Sequence, residues 1–282
     1  MSESIAKART VKALRAAVAG WRAAGERVAL VPTMGALHAG HIALVRAARR
    51  RAQRVVVSIF VNPAQFAPNE DLSRYPRPLS ADLAKLEAAQ ADLVYLPSPP
   101  DIYPEGFATT VSLAGPALGL ESDFRPTHFA GVATVVAKLL TRTTPDFAFF
   151  GEKDFQQLQV VTCMARDLDL PVRIVGVPTV READGLALSS RNIYLTATDR
   201  AAAPALYAAL NEAAAALRDG GALDATLDRA RTRVTGAGFR LDYLQARHAQ
   251  TLAPLSDASE RPMRLLVAAR IGATRLIDNL AV

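Results

Sequence analysis

The chain has 282 residues, of which 50% are hydrophobic and 21% charged, and its formal net charge is +6. This composition excludes a disordered chain and supplies enough apolar material for a sizeable core. Because Cys163 is the single cysteine, an internal disulfide is excluded. We expect its thiol to pack within a helix rather than to act as a nucleophile.

The N-terminal segment is amphipathic and lacks the apolar core of a secretory signal. No apolar run reaches the about 20 residues that span a bilayer, so we expect a cytoplasmic protein with no membrane partner. The basic charge suits either nucleic acid or a polyphosphate substrate. Because the arginines of 46–54 fit a solvated helix face, and no aromatic residues are interleaved with basic ones, we expect no nucleic-acid partner.

Strand-like and helix-like runs alternate through the first two thirds of the chain. The predicted strands are short and nearly all apolar, as in a parallel sheet that is buried on both faces. They are 27–34, 54–60, 92–97, 147–151 and 172–178. The predicted helices are 10–23, 40–52, 79–90, 129–142 and 153–168. This alternation predicts a doubly wound α/β sheet, in which ligands gather at the carboxyl ends of the strands.

Two long loops, 61–78 and 98–128, interrupt the alternation, and loops of this length are usually functional or mobile. The pattern changes near residue 180. Alanine-rich helices are predicted at 197–218 and 222–238, followed by half-exposed antiparallel strands at 240–249, 263–272 and 274–282. We therefore predict a ligand-binding α/β domain over 1–179 and a smaller α+β domain over 180–282.

The stretch "PTMGALHAGH" places His38 and His41 where a strand gives way to a helix. The unpaired N–H groups of a helix N-terminus favour an anion, and Gly35 and Gly40 permit close backbone approach. This pattern favours a phosphate cradle with two imidazole donors. The alternatives are two polar turn residues or a pair of metal ligands, although no third ligand lies at a matching spacing.

Two further stretches also suit anionic groups. In "FFGEKDFQQLQ", Lys153 follows a strand and opens a helix, while Asp154 suits a helix cap, a ribose hydroxyl or a metal ion. One of the neutral side chains Gln156 and Gln157 could face a pocket. In "ALSSRN", two hydroxyls beside Arg191 suit triphosphate oxygens, although a plain polar loop is the alternative.

The stretch "FVNPAQF" sets the neutral amides of Asn62 and Gln65 among apolar and aromatic residues. Such a loop suits a small, partly apolar molecule that carries hydroxyls. An ordinary Asn-Pro turn is the alternative.

Seven stretches in chain order resemble the pantoate–β-alanine ligase family of vitamin B5 synthesis. They are "PTMGALHAGH", "FVNPAQF", "DLSRYPR", "RPTHFAGV", "FFGEKDFQQL", "VPTVREADGLALSSRN" and "LLVAARIGATRLIDN". The resemblance implies a nucleotidylyltransferase-like Rossmann domain, a small C-terminal domain and a homodimer. It also implies that ATP, with Mg²⁺, converts pantoate to pantoyl adenylate, which β-alanine then attacks to give pantothenate and AMP.

The resemblance also implies roles for individual residues. His38, His41 and Lys153 would be catalytic, with His38 as proton donor. The implied ATP-binding residues are Met34, Gly35, Ala36, Leu37, His38, Ala39, Gly40, His41, Gly151, Glu152, Lys153, Asp154, Val180, Leu188, Ser189, Ser190 and Arg191. Gln65, Gln157 and Asn62 would bind pantoate or β-alanine. The Mg²⁺ ligands stay open between Asp82 and an arrangement of phosphate oxygens and water alone.

Three other classes of protein share some of these features. A class I aminoacyl-tRNA synthetase shares the HxGH pattern but needs a tRNA-binding portion and a KMSKS-like lysine loop. An adenylyltransferase that acts on a phosphate-bearing substrate fits poorly with the neutral "NPAQF" loop. A basic nucleic-acid-binding module fits the net charge but does not explain the paired histidines or "GEKD".

Overall fold

The computed structural model describes residues 5–67 and 70–282, so the first four residues and two residues of the predicted loop 61–78 lie outside it. The chain divides into two compact units. The first comprises the described residues of Met1–Leu113, Arg125–Glu152 and Val160–Pro178. The second comprises Ala114–Phe124, Lys153–Gln159 and Thr179–Val282. The predicted domain boundary near residue 180 stays a prediction.

The helices and strands up to residue 178 follow the predicted alternation. The strands are β1 (Ala6–Ala8), β2 (Val28–Thr33), β3 (Arg54–Ile59), β4 (Leu93–Tyr95), β5 (Phe147–Gly151) and β6 (Arg173–Val177). The helices are α1 (Val11–Ala23), α2 (Ala39–Arg49), α3 (Leu79–Ala88), α4 (Pro99–Ile102), α5 (Glu121–Phe124), α6 (His128–Thr143) and α7 (Phe155–Asp167). Short 3₁₀ turns lie at Pro63–Gln65, Asp71–Ser73, Gly115–Ala117 and Glu152–Asp154.

The six strands form one parallel sheet in the order β1-β4-β3-β2-β5-β6. Leu30, Val56, Val94 and Phe149 on its inner strands are fully buried, which explains why these strands read as continuous apolar runs. The predicted doubly wound α/β sheet is confirmed. β2 has β3 on one side and β5 on the other, so the chain order reverses beside β2, where open α/β sheets bind ligands.

The second unit is built around an antiparallel sheet of β7 (Arg240–His248), β8 (Met263–Ile271) and β9 (Thr274–Ala281). Its helices are α8 (Ala197–Ala202), α9 (Ala205–Arg218) and α10 (Leu223–Gly236), and a 3₁₀ turn lies at Ser190–Tyr194. Apolar side chains of α9 and α10 share one core with the sheet. The predicted α+β character is confirmed.

Three details differ from the predicted elements. β1 was not predicted, because three residues at a sheet edge are too few for a periodic pattern. The predicted helix 197–218 is split between α8 and α9, where Pro204 lacks the N–H of a helix interior. The predicted loop 98–128 contains the short helices α4 and α5.

Cys163 lies on α7, as predicted, and is half-buried. Its Sγ donates to Asp167 Oδ2 at 3.1 Å. Burial, followed by that contact with Asp167, raises the pKa of the thiol, which disfavours a nucleophilic thiolate. Within the ranges that the structure describes, no helix has the length and apolar content needed to cross a membrane.

Candidate functional site

The two histidines of the HxGH turn form the N-terminal cap of α2. His38 is the N-cap residue, and its Nδ1 accepts from Gly40 N at 3.2 Å. His41 lies in the first turn, and its Nδ1 accepts from His38 N at 3.2 Å. The pair makes a reciprocal capping box in which imidazoles replace the usual hydroxyl and carboxylate.

This cap fixes the tautomer of both rings. An imidazole nitrogen that accepts a hydrogen bond carries no proton, so each neutral ring has its N–H at Nε2. The ring centroids of His38 and His41 are 4.1 Å apart, and both side chains are partly exposed. Two Nε2–H donors therefore lie beside the N-terminus of α2, which already favours an anion.

Helix α3 holds the turn that precedes the histidines. Asp82 is 1% exposed, and its carboxylate accepts from Ala36 N at 2.9 Å and from Leu37 N at 2.8 Å. One turn later, Lys85 Nζ donates to Leu37 O at 2.6 Å. Gly35 has a φ of +83°, and a Cβ there would lie 3.1 Å from Asp82 Oδ2. The turn therefore needs glycine and is held by two side chains of one helix face.

The side-chain amides of Asn62 and Gln65, in the "NPAQF" turn, are oriented by a hydrogen bond between them. Asn62 is 1% exposed, and its Nδ2 donates to Gln65 Oε1 and to Gly131 O, each at 3.1 Å. Because Gln65 Oε1 accepts there, its Nε2 faces the other way, 3.0 Å from Met34 Sδ. Gln65 thus contacts both Asn62 and Met34, which the sequence analysis assigned to different ligands.

The backbone of Gln65 is anchored by residues of the "RPTHF" stretch. His128 Nδ1 donates to Gln65 O at 2.9 Å, and Arg125 Nη2 donates to the same oxygen at 3.1 Å. The Arg125 guanidinium also binds both carboxylate oxygens of Glu70, at 2.5 and 2.7 Å. These bonds hold the backbone of the turn at Gln65.

The predicted residues after β5 divide between the two units. Gly151 ends β5, and Glu152, Lys153 and Asp154 form a 3₁₀ turn before α7. Lys153 Nζ lies 3.4 Å from Asp154 Oδ1, and Lys153 O accepts from Asn279 Nδ2 at 2.8 Å. Gln156 is 3% exposed and donates to Pro116 O and Gly119 O. Of the two glutamines in this stretch, Gln157 is the partly exposed one.

Within the second unit, a hairpin carries the remaining predicted residues. Leu188 N donates to Val180 O at 3.0 Å. Ser189 Oγ accepts from Arg191 N at 3.2 Å and so caps the 3₁₀ turn that begins at Ser190. Arg181 binds both carboxylate oxygens of Asp278, at 2.6 and 2.8 Å. The hairpin is thereby fixed to β9.

Sequence reasoning missed the residues that support the site rather than line it. They contact the predicted residues from 41 to 69 positions away in the chain, which no local pattern reveals, and they are Tyr103, Arg125, His128 and Gly131. Asp82 entered only as a possible Mg²⁺ ligand, whereas its carboxylate supports the turn at Ala36 and Leu37. The signal that was available is "RPTHFAGV", which entered only as part of a resemblance. Among residues 5–67 and 70–282, no group of three or more His, Cys, Asp or Glu side chains is arranged to hold a metal ion.

A parallel sheet with a helix N-terminus and imidazole donors at the carboxyl end of its central strand defines a Rossmann-like α/β protein with a site whose chemistry suits an anion. The model of the pantoate-beta-alanine ligase family matches residues 6–281, and the chain belongs to that family. It is therefore a ligase.

Relatives support this assignment over the full length. The pantothenate synthetase of Rhodopseudomonas palustris BisA53 is 62% identical over 283 residues, covering 100% of both chains. The crystal structure of pantothenate synthetase from Thermus thermophilus is similar, with a TM-score of 0.92, 50% identity and coverage of 98% of this chain and 99% of that one. A Francisella tularensis pantoate-beta-alanine ligase complexed with beta-gamma ATP and beta-alanine has a TM-score of 0.83 and 34% identity, covering 98% and 97%.

Proposed function

We propose that this chain condenses (R)-pantoate with β-alanine, using ATP, and forms pantothenate, AMP and pyrophosphate through a pantoyl-adenylate intermediate. The observation that carries this proposal is the HxGH cap, which sets two imidazole N–H groups beside the N-terminus of α2. The family assignment supports it, as does the Francisella tularensis relative described with an ATP species and β-alanine.

In the first step, a pantoate carboxylate oxygen attacks the α-phosphorus of ATP, and the bond to the β-phosphate oxygen breaks to release pyrophosphate. Negative charge builds on the α-phosphate oxygens and on the leaving group. The Nε2–H groups of His38 and His41 and the α2 N-terminus are preorganised donors for that charge. We assign His38 as the proton donor and His41 as a phosphate contact.

We assign the other nucleotide contacts to the remaining predicted residues. Lys153, Ser189, Ser190 and Arg191 supply the charge and hydroxyls that suit phosphate oxygens. The adenosine contacts are Met34, Val180, Gly151 and Asp154, with backbone contributions from 35–41, Glu152 and Leu188.

Pantoate is assigned to Gln65 and Gln157. Neutral amides orient a carboxylate without neutralising it, so the carboxylate keeps the charge that it needs to attack. Asn62 contacts Gln65, but both of its donor hydrogens are engaged by Gln65 Oε1 and Gly131 O. We therefore place it as a support of Gln65. In the second step, the β-alanine amine attacks the acyl carbon, AMP leaves, and the amine proton passes to solvent.

Mg²⁺ usually reaches such sites on the phosphates, with water completing its shell. Both carboxylate oxygens of Asp82 already accept backbone N–H groups, and the described residues offer no three-ligand cluster. These observations favour phosphate oxygens and water as the ligands. The ion would neutralise phosphate charge. We also propose that the protein is a cytoplasmic homodimer, as the family resemblance implies.

The test is pyrophosphate release by the purified chain. We expect release from ATP only when pantoate is present, and formation of pantothenate and AMP once β-alanine is added. Pantoate replaced by RNA or by an amino acid should give none, which separates this function from that of a tRNA synthetase. Absence of pantoate-dependent release from the folded protein with Mg²⁺ would contradict the proposal.

A further inference from the structure

A series of hydrogen-bonded polar side chains, of which Asn62 is buried and the other two partly exposed, begins at Tyr103 and ends at Gln65. This residue follows α4, and its ring packs against Phe60 and Phe107 with centroid distances of 6.4 and 5.4 Å. Its hydroxyl donates to Asn62 Oδ1 at 2.7 Å. The Tyr103 ring therefore packs against aromatic rings, while its hydroxyl forms a hydrogen bond with one amide side chain.

The hydroxyl completes the hydrogen bonding of Asn62. Asn62 Oδ1 also accepts from Ala64 N at 3.3 Å, while Nδ2 donates to Gly131 O and to Gln65 Oε1. An asparagine amide has two donor hydrogens and two acceptor lone pairs, so this set is full. A reversed amide would point its N–H groups at the Ala64 N–H and its oxygen at Gly131 O, so it would lose both backbone contacts. The orientation of Asn62 is thus fixed.

The fixed orientation of the Asn62 amide also determines the orientation of the Gln65 amide. Because Asn62 presents an N–H to it, Gln65 must offer Oε1 there and turn its NH₂ away. That NH₂ lies 3.0 Å from Met34 Sδ. A thioether sulfur is a weak acceptor, so a carboxylate or hydroxyl oxygen of a ligand is a better partner for the same N–H.

We propose that Tyr103 is a positioning residue for pantoate, acting through Asn62 to keep the Gln65 NH₂ directed at a ligand oxygen. This inference rests on the proposed function of the Gln65 pocket. The chain Tyr103 → Asn62 → Gln65 has one donor direction throughout, and successive hydrogen bonds of that kind strengthen one another. Tyr103 itself does not touch the ligand.

The surroundings of Tyr103 keep its proton in place. Burial raises the pKa of the phenol to about 12, although the bond to Asn62 acts in the opposite direction. Lys138 Nζ lies 4.0 Å from the Phe107 ring centroid and 5.9 Å from that of Tyr103. The phenol is therefore a donor throughout the neutral range.

Replacing Tyr103 by Phe removes only the hydroxyl. We expect kcat/KM for pantoate to fall about 5- to 10-fold, the effect of one neutral hydrogen bond, while the KM for ATP changes less than about 2-fold. The matched control is Tyr95→Phe. Tyr95 is fully buried and accepts from Arg142 Nη1 at 2.9 Å, so its variant also loses one hydroxyl contact, but outside this chain. Its kcat/KM for pantoate should stay within about 2-fold of wild type.

A double-mutant cycle separates positioning from a general loss of structure. In a Gln65→Ala background the amide that Tyr103 is proposed to orient is absent. Adding Tyr103→Phe should therefore change kcat/KM for pantoate less than about 2-fold. The parameter is measurable at low pantoate and high enzyme concentration, even where saturation is out of reach. An equal drop in both backgrounds overturns the proposal, as does an unchanged kcat/KM in Tyr103→Phe. Since wild type must first show pantoate-dependent pyrophosphate release, failure of the proposed function is seen separately.

Discussion

At the scale of single residues, the HxGH histidines have a structural and a chemical side. Their Nδ1 atoms cap α2, and their Nε2–H groups are the donors that we assign to phosphate. The capping bonds show that both rings close the turn, and they are compatible with a chemical role as well. A test of His38 must separate these two contributions.

Substituting His38 with Asn and with Ala separates them. Asn is a strong N-cap residue and keeps an acceptor for the first turn, whereas Ala removes it and costs about 1 kcal/mol of stability. Neither residue supplies the Nε2–H, so both should lose about 10²–10³-fold in the rate of pyrophosphate release. Chemical denaturation measures the first effect and the pyrophosphate assay the second. Normal turnover in a stable Asn variant would remove His38 from the chemistry.

Gln65→Glu tests the charge of the pantoate pocket that we propose. One carboxylate oxygen of the new Glu still accepts from Asn62 Nδ2, so the other replaces the outward NH₂. Two like charges at about 4 Å in a partly buried site repel by about 4 kcal/mol, so pantoate affinity should fall on the order of 100-fold or more at neutral pH. It should recover partly as pH falls and the new carboxylate takes a proton.

The matched control is Gln250→Glu, which makes the same change in net charge at an exposed position. Calorimetry should show wild-type pantoate affinity for this control and near-normal ATP affinity for both variants. Unchanged pantoate affinity in Gln65→Glu would mean that Gln65 does not contact the carboxylate.

At the scale of elements, the site depends on one close approach between α6 and the 3₁₀ turn Pro63–Gln65. Gly131 lies in the first half of α6, and a Cβ there would lie 2.2 Å from Ala64 O and 2.9 Å from Gln65 N. Both atoms are backbone, so no side-chain rotation relieves the clash. The glycine therefore sets the distance at which the turn presents Gln65.

We expect Gly131→Ala to displace this turn and lower kcat/KM for pantoate by at least about 10-fold, because a misplacement of about 1 Å can cost about 100-fold. Gly20→Ala in α1 is the control, since a Cβ there meets no atom within 4 Å. That change should stabilise the protein by about 0.5–1 kcal/mol with activity retained. Thermal unfolding and pantoate kinetics of the two variants are compared. Equal kinetics would show that the close approach does not position the pocket.

The elements themselves were largely predictable, because apolar runs and helical periodicity are local. The strand β2, the turn with Gly35 and the helix α2 follow from one short stretch of consecutive residues. The contact that supports this turn was not predictable, because Asp82 lies 46 residues after Ala36 and the two meet only in the folded chain. Likewise, nothing local shows that Gly131 must be small, since the atoms it faces belong to a turn far earlier in the chain.

At the scale of the whole molecule, this basic chain buries the carboxylates Glu121 and Asp278, and an arginine pairs with each of them. Within the second unit, Arg275 binds both carboxylate oxygens of Glu121 at 2.7 and 2.9 Å, and also Asp242 at 2.7 Å. The Tyr243 hydroxyl donates to Glu121 Oε1 at 2.8 Å. A change in the charge of one member leaves its partner in the cluster uncompensated. Because protonation and deprotonation change those charges, the cluster makes stability depend on pH.

Tyr243 contributes to the alkaline part of that dependence. Burial, and then the negative charge of Glu121, raise the pKa of this phenol well above its usual value near 10. Above pH 10 the unfolded chain therefore releases the Tyr243 proton while the folded protein keeps it. The folded state then holds more protons than the unfolded state, so the free energy of unfolding falls as pH rises.

In Tyr243→Phe this phenol is absent from both states. At pH 7.5 the variant should be less stable by about 1.5–3 kcal/mol, because a hydrogen bond to a charged carboxylate is lost. Above pH 10 wild type should lose stability faster, by up to about 1.4 kcal/mol per pH unit, so the two curves converge. Urea unfolding followed by circular dichroism at pH 7.5, 9, 10 and 11 measures the difference in free energy of unfolding between wild type and variant. The contributions of the other titrating groups largely cancel in this difference. A constant difference across this range would show that Tyr243 titrates alike in the folded and unfolded chains.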